Sequence, residues 1–225
     1  MKKEYDLIIL TTSVNRPDLH KDTFFKYCEF VDGLDCLWLI NIDHIGYGNS
    51  LDETEINLNK ILSKWNNIDF EFFVNENGGN WNSFYKAAHR LTNKANQFNS
   101  KYGIFWLEDD WGLNFEHKLK DIFENVNFSD MDYLQLRKRN LEVSFNPSVF
   151  GWGIFKKYNY PKINDETNAY WMGNPERAVV YPVNSVKVEN HYYCPYFFDV
   201  GREWSDKNIE KKAIDSTDPK RTYNS

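Results

Sequence analysis

Four short apolar runs, spaced by segments of helix length, constrain this chain more than any other feature. Tyr5 to Thr12, Leu34 to Ile42, Ile68 to Val74 and Tyr102 to Leu107 are rich in β-branched, leucine or aromatic residues, and each runs into polar residues. Between them, Asp18 to Val31, Leu51 to Trp65 and Trp81 to Ala95 have helical spacing. Near-continuous apolar strands alternating with helices predict an α/β fold with a mostly parallel central sheet. Ligands of such sheets bind beyond the carboxyl ends of the strands. Thr11 to Arg16, Asp43, Asn77 to Asn80 and Glu108 to Asp110 all fall at those ends. Beyond Asp110 the alternation stops. Phe115 to Val126 predicts a helix and Asp132 to Arg137 a strand. The remainder is irregular and rich in Trp, Tyr, Gly and Pro.

Composition narrows the class. The 225 residues include 27 Lys+Arg against 33 Asp+Glu, a net charge of -6. That balance disfavours a globally basic nucleic-acid binder. Three cysteines, Cys28, Cys36 and Cys194, form an odd set with no CxxC, which argues against a disulfide framework or a cysteine zinc site. The lysine pair before Leu7 to Leu10 is followed by too short an apolar run for a signal peptide, and no stretch reaches the ~20 apolar residues of a membrane helix. A cytoplasmic protein is expected. The 27 asparagines suggest a genome rich in A and T, viral or low-GC bacterial.

Glu108-Asp109-Asp110 carries the sharpest chemistry. Three adjacent acids at the end of an apolar strand repel one another, and a divalent cation offsets that repulsion. Mg²⁺ or Mn²⁺ held by one or two carboxylates keeps positions open for substrate phosphates. The alternative is a solvated acidic turn.

With these residues in view, the chain resembles GT-A-fold glycosyltransferases, closest in style to the family 2 group. Thr11-Thr12-Ser13-Val14-Asn15-Arg16-Pro17-Asp18 is similar to the opening "TTYNRP" of those enzymes. Asp43 is similar to their second nucleotide-contacting acid, and Asn75 to Ala88 (NENGGNWNSFYKAA) to a later Asn/Gly segment. FWLEDD is similar to the strand leading into their metal-binding "DxD", with Glu108 a departure at the first position. Phe150 to Phe155 stands where their glycine-rich acceptor segment lies. The likeness is reasonable over residues 5–110 and loose over 130–200.

The resemblance implies one domain: a nucleotide-sugar half over residues 1–110, an acceptor-side half over 111–205, and a polar tail over 206–225. It implies a nucleotide-sugar donor, with a UDP-sugar favoured over a GDP-sugar, and transfer to a hydroxyl with inversion. Thr11, Arg16, Asp43, Asn77, Gly79 and Asp109 are the implied donor contacts, joined by Arg202 at the diphosphate. Asp110 and Glu108 are the implied metal acids, with His191 a further ligand or else a histidine bonded among aromatics. The other histidines, His20 included, look peripheral. Glu176 is the implied general base, with Asp165 and Glu166 behind it; Glu176 equally suits a first-turn acid of a helix capped by Asn174. The acceptor stays open among glycans, lipids, proteins and hydroxymethylated DNA bases, the last served by Arg137-Lys138-Arg139 and the basic tail. Two rivals remain: a nucleotidyltransferase acting on sugar phosphates, and a non-catalytic carbohydrate-binding protein.

Overall fold

The first apolar run becomes β1 (Glu4–Val14), and its alternate residues feed two different cores. In the computed structural model, residues 2–44, 50–75, 81–114, 117–137, 147–158 and 188–201 are described. Leu7 and Ile9 join one cluster, Ile8 and Leu10 the other. This is why the run reads as continuously apolar: the strand is covered on both faces. The same holds for β2 (Cys36–Asp43), where Trp38, Ile40 and Ile42 face one core and Leu37 and Leu39 the other.

The chain continues as α1 (Pro17–Val31) before β2, α2 (Leu51–Leu62), β3 (Ile68–Asn75), α3 (Trp81–Ala95) and β4 (Asn99–Trp106). Pro17 opens α1 with a fixed φ, and Ser50 caps α2 by accepting from the Glu53 amide at 3.0 Å. Helices α1 and α2 cover one face through Phe24, Tyr27, Leu58 and Leu62, while α3 covers the other with Ala88, Leu91 and Ala95. The side is dictated by handedness. The chain steps from β1 to β2 to β3 in one direction, then crosses back to place β4 on the far side of β1. Right-handed crossovers in opposite directions put their helices on opposite faces.

After β4 come β5 (Trp111–Leu113), α4 (Leu119–Val126), β6 (Tyr133–Arg137), β7 (Ser148–Phe150), α5 (Trp152–Tyr158) and β8 (His191–Asp199). The eight strands form one sheet in the order β3-β2-β1-β4-β7-β6-β8-β5. The four pairings β1·β2, β2·β3, β1·β4 and β6·β8 are parallel, whereas β4·β7, β6·β7 and β5·β8 are antiparallel. The expectation of a mostly parallel sheet is therefore corrected: the architecture is α/β, but the sheet is mixed. The antiparallel members, β5 and β7, are three residues each. Neither is long enough to show a period of two in the sequence.

The sheet also curls. In a flat sheet β4 and β5 would lie about 19 Å apart, four strand spacings away. The five residue steps from Trp106 to Trp111 reach at most about 18 Å fully extended, and residues 109–110 are in a turn. Closing that gap bends the sheet so that β5 returns against α1, where Tyr27 accepts from the Trp111 amide at 3.1 Å. Gly103 permits close packing in β4: its φ is +127° and a Cβ there would lie 2.0 Å from the Phe150 carbonyl oxygen. Helix α4 begins at Leu119, later than the predicted Phe115, and ends at Asn127 in the left-handed conformation with φ 47°.

Candidate functional site

The strand order reverses between β1 and β4, and their carboxyl ends are Val14 to Arg16 and Leu107 to Asp110. Such a switch point is where open α/β sheets leave a crevice for ligands. Here it holds a buried ionic cluster. Asp109 Oδ1 accepts from Arg16 Nη2 at 2.6 Å. Its Oδ2 accepts from Ser13 Oγ at 2.9 Å, His20 Nε2 at 2.9 Å and the Val14 amide at 3.3 Å. The residue is only 2% exposed. Burial alone would raise its carboxyl. The Arg16 charge and the hydrogen bond from His20 outweigh that and hold it well below the usual carboxylate range.

Ser13, His20 and Asp109 are the residue types of a nucleophilic triad, but the geometry excludes one. Ser13 Oγ and Asp109 Oδ2 both face the same ring nitrogen, His20 Nε2, each at 2.9 Å. A triad needs its acid and its nucleophile on opposite nitrogens. The cluster is instead a clamp that ties the β4 end to the β1–α1 turn. Arg16 and His20 are four residues apart at the start of α1, so they share a helix face and reach the same carboxylate. That spacing is the available signal for His20, expected to be peripheral; it is fully buried and central.

Asp110, one residue on, behaves differently. Its side chain is 29% exposed and its Oδ2 lies 3.7 Å from Arg16 Nη2. Burial, helped by the neighbouring charges of Asp109 and Asp199, pushes its carboxyl up to about 6 against the pull of Arg16. The end of β8 is fastened here as well. The amides of Val200 and Gly201 donate to the Asp110 carbonyl at 2.9 and 3.1 Å. A Cβ on Gly201 would lie 2.2 Å from Asp110 Oδ2, so the approach requires glycine. Glu108 is half-buried, and its carbonyl accepts from the Tyr27 hydroxyl at 3.3 Å.

These contacts separate the three acids as prospective cation ligands. Asp109 is saturated by four donors and would have to give them up. Asp110 is the acid whose surroundings disfavour its charge and whose side chain remains open, so it fits a Mg²⁺ or Mn²⁺ held mainly by substrate phosphates. Glu108 and Asp199 flank it. Among the described residues no three His, Cys, Asp or Glu side chains form a ready-made cage. His191 is not brought to this place. It starts β8, whereas Asp199 ends it, a separation of roughly 20 Å or more along an extended strand. There its ring lies tilted at 57° against Tyr133, with centroids 4.9 Å apart, and its Nε2 lies 3.2 Å from Gln135 Oε1. Burial lowers the pKa of its imidazole.

Next along the same edge is a second polar cluster at the ends of β2 and β3. Asp43 Oδ1 accepts from Asn41 Nδ2 at 2.9 Å and Asn75 Nδ2 at 2.7 Å. Arg90 of α3 donates to the amide oxygens of both, at 3.1 Å each, and to the Val74 carbonyl at 3.3 Å. Asn41 and Arg90 were invisible as a pair because they come from different elements. Thr11 points elsewhere: it is fully buried and accepts from the Trp38 indole at 2.8 Å, satisfying a core tryptophan.

Asn77, Gly79, Asp165, Glu166, Glu176 and Arg202 lie outside the described residues. A cleft of about 710 Å³ opens on the α1 face between Lys26, Phe30, Leu113, Lys118 and Tyr196. None of the acids discussed above lines it. No described helix is long and apolar enough to cross a membrane. No protein-family model matches the chain, and no curated protein matches it.

Proposed function

We propose that this chain is a metal-dependent glycosyltransferase with a GT-A-like fold that moves a sugar from a nucleoside-diphosphate donor to an acceptor hydroxyl. The observation that carries the reading is the division of labour at the switch point: Asp109 locked to Arg16, and Asp110 left partly open beside it with a raised carboxyl. A carboxyl perturbed by burial and by named charge partners, at the switch point of an α/β sheet, is a functional-site candidate. The acids, Asp43 and Asn75 share one carboxyl edge, as a ligand spanning a base and a diphosphate requires.

Bound there, a divalent cation would offset the charge that grows on the leaving diphosphate. Asp110 is the carboxylate that would hold it. Arg16 cannot swing freely because Asp109 grips it, so its guanidinium is a preorganised positive charge beside that position. Asp109 acts through Arg16 and His20 and is a positioning residue. Asp43 accepts hydrogen bonds from the donor nucleoside. Glu176, or Asp165 in its place, takes the acceptor proton in an inverting transfer. A UDP-sugar is the favoured donor, the acceptor is open among glycans, lipids, proteins and, as the minority option, hydroxymethylated DNA bases, and a cytoplasm, with a virus-encoded origin as one option, is the setting.

The test needs no acceptor. UDP-, GDP- and dTDP-sugars are incubated with the protein and Mn²⁺, and slow hydrolysis is followed. One donor turns over, and Asp110→Ala abolishes that turnover with the fold intact by circular dichroism. Turnover that survives Asp110→Ala overturns the metal assignment. Metal-independent glycan binding without donor hydrolysis favours a carbohydrate-binding protein instead.

A further inference from the structure

Strand β3 ends the sheet, and two bonds to β2 show which of its backbone groups face outward. The Cys36 amide donates to the Asn67 carbonyl at 2.8 Å and the His44 amide to the Asn75 carbonyl at 2.9 Å. The register runs unbroken from Cys36 opposite Ile68 to Asp43 opposite Asn75, so the odd-numbered residues of β3 bond to β2. The N–H and C=O groups of Ile68, Phe70, Phe72 and Val74 therefore point away from the sheet. At the two ends, Ile68 N–H turns back to the Trp65 carbonyl at 3.4 Å and the Val74 carbonyl accepts from Arg90 at 3.3 Å. Among the described residues no strand pairs with this edge. Proteins blunt such edges with bulges, prolines, short strands or outward charges. Strand β3 is eight residues long, with no proline and no register break. Its acids, Asp69 and Glu71, share the α3 face and are matched within the chain by Lys3 and Lys94. On the opposite face Phe70 and Phe72 are half-buried, with ring centroids 5.3 Å apart.

We infer that a second copy of this chain pairs with this edge, β3 against β3 and antiparallel, to form a two-fold dimer with one continuous sheet. Antiparallel pairing sets outward-facing residues opposite one another, so even numbers meet even. Charge then chooses the register. With Phe72 opposite Phe72, Phe70 meets Val74, Asp69 meets the neutral Asn75 and Glu71 meets Phe73. Arg90 holds its guanidinium over that Phe73 ring, 5.8 Å from the centroid, so each Glu71 approaches a cation of the other copy. A slip to Phe70 opposite Phe72 sets Glu71 against Glu71, and a slip to Phe70 opposite Phe70 sets Asp69 against Glu71. The Val74 carbonyl has a second lone pair for the Phe70 amide of the other copy. The contact is the same patch on both copies, so it closes at two. Because the paired strands run in opposite directions, the two carboxyl edges face opposite ways and both Asp110 sites stay open. The dimer does not depend on what the site transfers.

The experiment is sedimentation equilibrium of the full chain from about 1 µM to about 1 mM, a range suited to strand addition driven by main-chain bonds. Amide hydrogen exchange, resolved to single residues, is measured at both ends of the range. The mass is expected to double. Exchange at Phe70, Phe72 and Val74 is expected to slow at least about tenfold at high concentration, while Asp69, Glu71 and Phe73, already bonded to β2, do not change. Phe72→Pro removes the outward N–H at the two-fold axis, a change an edge strand tolerates, and is expected to leave a monomer folded by circular dichroism. Glu71→Lys sets cation against cation across the interface and is expected to weaken association at least about tenfold. A single-chain mass at every concentration overturns the inference. Protection of the three outward amides that does not vary with concentration also overturns it, since the chain then covers its own edge. So does a dimer that forms with unchanged affinity in Glu71→Lys and Phe72→Pro.

Discussion

Replacing Asp110 by asparagine should make the ligand-free protein more stable at neutral pH. The carboxyl is raised from its ordinary 3.8 to about 6, chiefly by burial and then by Asp109 and Asp199. An acid whose folded pKa is raised contributes stability fully present below its unfolded value. That contribution is lost as the pH rises through the folded value. Wild type therefore loses it between about pH 4 and pH 6, and above that carries an ionised carboxylate in surroundings that disfavour it. A rise of two units corresponds to a ceiling of about 3 kcal/mol at 1.36 kcal/mol per unit. Because 29% of the side chain is exposed, solvent screening reduces this to about 1–2 kcal/mol. Asparagine keeps the size and has no charge. Urea unfolding of both proteins from pH 4 to pH 8 is the assay, read as the difference between them so that every other titrating group cancels. The variant is expected to be more stable by about 1–2 kcal/mol at pH 7, a gain of roughly 2–8 °C in Tm for a chain of this size. The gap should close at pH 4. A variant less stable than wild type at pH 7, or a gap of equal size at both pH values, would refute the reasoning. The same substitution removes the proposed cation ligand, so a gain in stability should accompany a loss of Mn²⁺ affinity.

Asp109→Asn should act in the opposite sense. It leaves Arg16 without its buried partner and turns an NH₂ toward donors, at an expected cost of about 3–5 kcal/mol by urea unfolding at pH 7. Because the Asp109 carboxyl is held low, its contribution is present above the ordinary carboxylate range and lost as the pH falls below about 4, so the variant should lack that part of the acid transition. Gly103→Ala must place a Cβ 2.0 Å from the Phe150 carbonyl oxygen at a φ of +127°, and a loss of at least about 2 kcal/mol in thermal or urea unfolding is expected. Asp132→Ala strips a fully buried carboxylate of its contacts to the Ser129 amide, the Asn190 amide and Asn190 Nδ2, and should cost about 2–4 kcal/mol in the same assay.

The four parallel strands and three intervening helices of the first half were legible because their signals are local. Leu7 to Leu10 is apolar on both faces of one strand, and Leu51 to Trp65 has helical spacing. The grouping of polar residues at strand ends followed from the same reading, since a parallel sheet puts all its carboxyl ends along one edge. Strands β5 and β7 escaped because three residues have no period, and β8 because its aromatic residues alternate exposure in a stretch that also contains Pro195.

The site was divided at the level of single residues by packing that no spacing encodes. Asp109 and Asp110 are chemically identical neighbours. One is clamped by Arg16, His20 and Ser13, while the other meets Gly201 and the charge of Asp199. Those partners arrive from β1, the start of α1 and the end of β8, up to 96 residues away along the chain. Chain chemistry sets which residues can ionise or accept a hydrogen bond, because those properties belong to a side chain alone. Which acid is gripped and which is left open depends on how the sheet curls and what it brings alongside, because pKa and hydrogen bonding are settled by neighbours in space.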